Sequence, residues 1–223
     1  MVPWVFGSRT LASPRPMSPT LLAIALHALD LHAAPTREPD AARAQRLRSI
    51  AADAVEAVEA ADPLPGMTRE ATLRLLLATA IVESAGLLPE VDRGSHRGDR
   101  GRSVCLMQIN VGGGRVQSAD PTIARWRAGD LLADRVKCFR AGLDAARWSM
   151  SVCAGLRGGD RLSAYVSGRC VTGLASARHR WYLASTFALA SVADDRLAAR
   201  GAVCSRLDAA LEPRPLLVRP FPG

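Results

Sequence analysis

Apolar residues recur along much of this chain at spacings of three and four, the period of one helix face. Leu47, Ile50, Ala51, Ala54, Val55, Val58 and Ala61 keep that rhythm and predict an amphipathic helix over roughly Asp40 to Ala61. The run Asp62-Pro63 to Pro65-Gly66 stops it. Thr68 stands as N-cap for the next helix, Arg69 to about Ala85, and Gly86 is placed to end it. That helix contains ATLRLLLATAIVE, apolar nearly all round, so it belongs at the centre of the fold. Val136, Phe139, Leu143, Ala146, Met150 and Cys153 mark another helix, capped by Asp134. Asp160 reads as the cap of a short helix through Tyr165. Leu174, Ala177, Trp181, Ala184, Ala188 and Val192 mark one more.

Three stretches break the pattern. Leu21 to Ala34 (LLAIALHALDLHAA) is apolar, carries His27 and Asp30, and ends in small residues. With Arg9 and Arg15 upstream it fits an export signal cleaved near Ala33 or Ala34; it fits equally a short helix packed on the domain. Leu87 to Gly114 lacks helical period: VDRGSHRGDRGRS, then the apolar word VCLMQINV, then Gly112-Gly113-Gly114. Long loops inside compact domains are often functional. The end, EPRPLLVRPFPG, is Pro-rich and reads as loose. The expected organisation is a poorly structured segment over 1–36 holding the possible signal or short helix, one domain over 37–193, and a helix with a Pro-rich tail over 194–223.

Composition sharpens the class. Among 223 residues are 39 Ala against two Tyr and four Phe. Alanine favours helices, while strands prefer β-branched and aromatic residues, so the fold class expected is all-α. No apolar run approaches the roughly 18 residues that span a bilayer, so no integral membrane segment is expected. The formal net charge of +8 is almost all arginine, Lys137 being the one lysine. Such a surface serves solubility or attracts polyanions. Without a motif or aromatic–basic interleaving to match, nucleic acid is not expected as a partner. His27, His32, His96 and His179 are scattered away from Cys or Asp partners, so no metal is expected. A Gly-x-x-x-x-Gly-Lys phosphate loop is missing, and Gly112 to Gly114 has no strand before it. No cofactor is expected either.

Glu83 does not fit its surroundings. It ends a helix whose preceding residues include Leu75, Leu76, Leu77, Ala80, Ile81 and Val82. The negative end of a helix and an apolar pocket both disfavour a carboxylate, which holds the group protonated and suits a general acid. The alternative is a glutamate that points to water where the helix emerges.

Around it stand three words in order: Glu83-Ser84, then Leu106-Met107-Gln108-Ile109, then Ala164-Tyr165 with Ser167-Gly168. Together they resemble the lytic transglycosylase (SLT-type) domain of the lysozyme-like superfamily, over roughly Thr68 to Arg180. The resemblance implies a lysozyme-like helical fold with a long Gly- and charge-rich active-site loop. It implies cleavage of the β-1,4 bond between N-acetylmuramic acid and N-acetylglucosamine in peptidoglycan strands, ending in 1,6-anhydro products. Glu83 would be the catalytic acid and base, and Ser84 would start and support the turn beside substrate. Met107 and Gln108 would line the glycan cleft, the Gln108 amide facing an N-acetyl group, and Tyr165 would reach toward Glu83 and the sugar. Two positions depart from the family pattern. Cys105 stands where a glycine is usual, and Val166 where an asparagine is usual, with Ser167 as a substitute polar group. The alternatives are a hydrolysing muramidase, with Glu90, Asp92 or Asp99 as second carboxylate, and a non-catalytic glycan-binding module.

Five cysteines leave at least one outside any internal pair. Cys138 and Cys153 lie on one predicted helix, about 22 Å apart by rise, too far to bridge. Cys105 with Cys138 and Cys153 with Cys170 is the pairing expected, Cys204 being left over; buried reduced cysteines are the alternative. Disulfides would suit a periplasmic or secreted enzyme.

Overall fold

A computed structural model describes residues 17–187. The fold is all-α apart from one small hairpin. Helix α1 (Pro19–His32) starts behind Ser18, whose hydroxyl accepts the Leu21 amide, and buries Leu21, Ala25, Ala28 and Leu29. It packs on α2 (Asp40–Glu59) and α3 (Arg69–Glu83). Most of the segment Leu21 to Ala34 thus lies in a helix packed on the domain. Its ends are clamped: the Ser18 amide donates to the Glu59 carboxylate, and the Ala34 amide to the Gly86 carbonyl. None of the described helices is long and apolar enough to cross a membrane.

Helix α3 is central, with every residue from Leu75 to Ile81 buried, and Thr68 caps it through the Ala71 amide. It ends at Glu83 because Ala85, Gly86 and Leu87 all take left-handed backbone angles. The Gly86 amide closes the turn on the Ile81 carbonyl. Gly86 has no substitute there, since a Cβ would lie 2.5 Å from the Ala34 Cβ. A short α4 (Pro89–Asp92) follows, then the loop whose middle pairs β1 (Ser103–Val104) antiparallel with β2 (Ile109–Asn110). Helices α5 (Ala128–Ala133) and α6 (Arg135–Val152) come next, α6 capped by Asp134 and packed on α2. Helix α7 (Ser163–Ser167) leans on α6, and α8 spans 175–187. Ala188, Val192, the 194–223 segment and Cys204 lie outside the described residues.

Asp160 corrects one expectation. It sits inside a tight turn, Gly158–Leu162, and Leu162 rather than Asp160 precedes α7. Its carboxylate is taken by Arg178, at 2.8 Å to each oxygen, and by the Gly173 amide. A two-pronged charged pair outcompetes the neutral amides a cap would bind.

The four cysteines in the described region are paired. Cys105–Cys138 ties the hairpin loop to α6, and Cys153–Cys170 ties the end of α6 to the segment leading into α8, with Cα separations of 6.2 and 5.4 Å.

Candidate active site

The last turn of α3 delivers Glu83 to the lip of a cavity of about 1030 Å³. Gly98, Asp99, Gln108, Tyr165 and Arg180 share its wall, as do Asp144 and Trp148. The Glu83 side chain is only 19% exposed, and Oε1 accepts from Nη2 of Arg180 at 2.6 Å. Burial lifts the Glu83 carboxyl above its ordinary value; Arg180 opposes that rise, and the Asp99 charge adds to it. Burial prevails because the carboxylate has lost most of its water, while Arg180 serves one oxygen. Glu83 thereby holds its proton to higher pH than an ordinary glutamate.

Tyr165 faces the same cavity, and its hydroxyl donates to the Met107 carbonyl at 2.7 Å. Burial, and then the nearby Glu83 charge, push that hydroxyl well above its ordinary value. It therefore keeps its proton and its grip on the hairpin. Tyr165 is in turn held by its amide, which donates to Ser149 Oγ on α6.

The remaining expected residues divide between cavity and scaffold. Gln108 lines the cavity, but its amide works inward: Oε1 accepts the Gly98 N–H at 2.9 Å, and Nε2 donates to the Cys105 carbonyl at 3.0 Å. It staples the loop shut instead of presenting a free amide. Met107 does not line the cavity. Its side chain is buried against Gly142, where even a Cβ would overlap it, because an apolar chain in a tight turn has most to gain inward. Only its carbonyl serves the site, by holding Tyr165. Ser84 is buried and supports the turn, donating to the Ala80 carbonyl and accepting the Leu87 amide; it is not part of the cavity wall. Ser167 donates back along α7 to the Ser163 carbonyl at 2.8 Å and is not part of the cavity wall. The apolar Val166 occupies that wall without a polar substitute.

Cys105 adopts φ 60°, the left-handed conformation that glycine takes most freely. The bond to Cys138 anchors it there. The three acidic candidates also separate. Asp92 is buried in a two-pronged pair with Arg135, and Glu90 is exposed beside Arg93. Asp99 alone of the three shares the cavity with Glu83, and the loop holds it, since the Ser103 hydroxyl donates to its carboxylate at 2.5 Å.

The chain matches no family model, no curated protein and no solved structure.

Arg180, Trp148 and the hydrogen-bonded pair Ser118 and Asp144 line the same cavity, and no motif in the sequence marks them. Arg180 is 97 residues from its partner and one of many arginines. A charged residue inside the apolar period of α8 was the only available clue. Among the described residues, no group of three His, Cys, Asp or Glu could hold a metal ion.

Proposed function

We propose that this chain is a lysozyme-like, glycan-cleaving enzyme of the lytic transglycosylase type, acting on peptidoglycan. The observation that carries the reading is Glu83: a half-buried carboxyl, biased toward its protonated form, at the edge of a cavity large enough for a sugar chain. Protonated Glu83 gives its proton to the oxygen between muramic acid and glucosamine. The bond from the muramic anomeric carbon breaks, its electron pair stays on the leaving oxygen, and an oxocarbenium-like centre forms. The carboxylate left behind then takes the proton of the muramic 6-hydroxyl as that oxygen attacks the same carbon. The 1,6-anhydro ring closes and Glu83 is restored. The two disulfides are compatible with an extracellular location, periplasmic or secreted. Incubating the protein with purified sacculi and weighing the soluble products tests the reading; intact sacculi and no muropeptides would overturn it.

The cavity wall suits a sugar. Trp148 shows 48% of its surface and offers a flat apolar face, flanked by Ser118, Asp144 and Gln117 for hydroxyl groups. We expect Trp148→Ala to weaken binding of soluble glycan strands about 10-fold, near 1.4 kcal/mol, with little change in kcat. Titration of strands into a turnover-deficient variant measures it.

Asp99 favours a second reading, a hydrolysing muramidase. Hydrolysis needs a positioned second carboxylate, about 5–5.5 Å away to retain configuration or roughly 6.5–9.5 Å to invert it. Asp99 is in the cavity and held in place. On the transglycosylase reading, Asp99→Ala keeps substantial activity, because the nucleophile is already tethered to the sugar. Complete loss of activity, or products 18 mass units heavier than anhydro-muropeptides, would establish the muramidase instead.

A further inference from the structure

The Glu83–Arg180 pair joins α3 to α8 inside the cavity. Arg180 is hardly exposed, at 5% of its side chain. Nη2 binds Glu83 and Nη1 binds the Ser176 carbonyl, both at 2.6 Å. Its buried Nε has no hydrogen-bond partner among the described residues. Taking a guanidinium out of water is costly, and leaving one of its donors unmade costs more. Replacing such a pair with apolar residues is often neutral or stabilising, so stability alone is a weak reason for it. The helix that presents Arg180 is also fixed with care. Two residues before, Arg178 is clamped by Asp160, and Cys153–Cys170 anchors the segment that leads into the helix.

We propose that Arg180 is a positioning residue of this site: it aims the Glu83 carboxyl into the cavity and receives the negative charge that appears when Glu83 gives up its proton. The inference rests on Glu83 being the acid. Burial makes Glu83 hold its proton to higher pH than an exposed glutamate would, and Arg180 makes the departure of that proton less costly. Among the described residues, the charged and titratable groups that act on Glu83 are Arg180 from α8, Asp99 from the loop and Tyr165 from α7. Arg180 is the one cation among them. Without its charge, Asp99 and burial both act against the carboxylate, so Glu83 must hold its proton to higher pH.

The test is the pH behaviour of Arg180→Gln and Arg180→Lys in the full chain. With soluble glycan strands, Arg180→Gln should lose on the order of 10²-fold in kcat. The basic limb of its kcat/KM profile should move to higher pH. Arg180→Lys should keep the limb near that of the parent protein and recover part of the rate. Carbon-13 NMR titration of the Glu83 carboxyl, with no substrate present, reads the same midpoint directly. An upward move there without any cleavage of glycan would uphold the pairing and sink the proposed reaction instead. A basic limb and a carboxyl midpoint that both stay put in a folded Arg180→Gln would overturn the proposal and leave Arg180 a packing residue. Arg180→Met fills the same buried space without donors and gives the same reading if the glutamine variant does not fold.

Discussion

Glu83→Gln should abolish release of muropeptides from sacculi while leaving the fold at least as stable as before. An amide offers no acidic proton to the glycosidic oxygen and cannot take one from the 6-hydroxyl, so both halves of the reaction fail together. General acid–base help is worth roughly 10²–10⁴-fold, and here one residue supplies it twice. The loss should therefore lie at the upper end of that range or beyond it. Stability supplies the control. The folded carboxyl is raised above its unfolded value of 4.5. Below the unfolded value both states carry the proton and burial exacts no charge penalty. As pH rises through the raised folded value, the protein must hold a buried charge, and that contribution to stability is lost. Glutamine never ionises and still accepts from Arg180. Denaturation curves should thus show the variant gaining on the parent protein as pH rises from the unfolded value of 4.5 through the raised folded one. Residual turnover above a hundredth of the parent rate would remove Glu83 from its role. A variant that gains nothing with pH would show that Arg180 offsets the burial completely.

The helices were legible because a repeating apolar face is a property of sequence itself. Asp40–Glu59, Arg69–Glu83 and Arg135–Val152 fall within two residues of their expected spans, with Thr68 and Asp134 in place as caps. Glu83 was legible for the opposite reason, as a charge that breaks an apolar pattern. For the disulfides, chain geometry excludes only a Cys138–Cys153 bond, because one helix cannot bridge its own ends; the expected pairs are the ones that form. What the sequence withheld was direction. A motif places Met107, Ser84 and Ser167 at a site, but the side-chain torsions decide whether they face substrate or scaffold. Met107 turns into the core, and the two serines bind carbonyls one turn back. Gln108 does face the cavity, yet its amide is drawn off by two main-chain groups within ten residues of it. Pairs distant in the chain were equally silent. Nothing local to Asp160 or Arg180 announces partners 18 and 97 residues away.

Removing the Cys105–Cys138 bond should damage both stability and the site. The bond closes a loop with a sequence separation of 33, and a cross-link of that span is worth about 2–4 kcal/mol by restricting the unfolded chain. A second cost is local. Cys105 holds φ 60°, which strains a residue bearing a Cβ. Three residues on, Gln108 also has positive φ, and its Nε2 donates to the Cys105 carbonyl. Between them, the Met107 carbonyl holds the Tyr165 hydroxyl. If residue 105 relaxes to negative φ, that short turn rearranges, and Tyr165 loses its anchor beside Glu83. Cys105→Ala with Cys138→Ala should accordingly lose about 3 kcal/mol in denaturant unfolding. It should also lose on the order of 10²-fold in turnover at temperatures where it remains folded, because catalysis is sensitive to ångström displacements. Cys105→Gly with Cys138→Ala separates the two causes. Glycine takes the same backbone angles without strain, so this variant still lacks the cross-link but keeps the turn. It should recover most of the turnover, yet only about 0.5–1 kcal/mol of the stability. Equal turnover in the two double variants would mean that the bond serves the fold alone, and that the turn carrying Met107 and Gln108 holds its shape unaided.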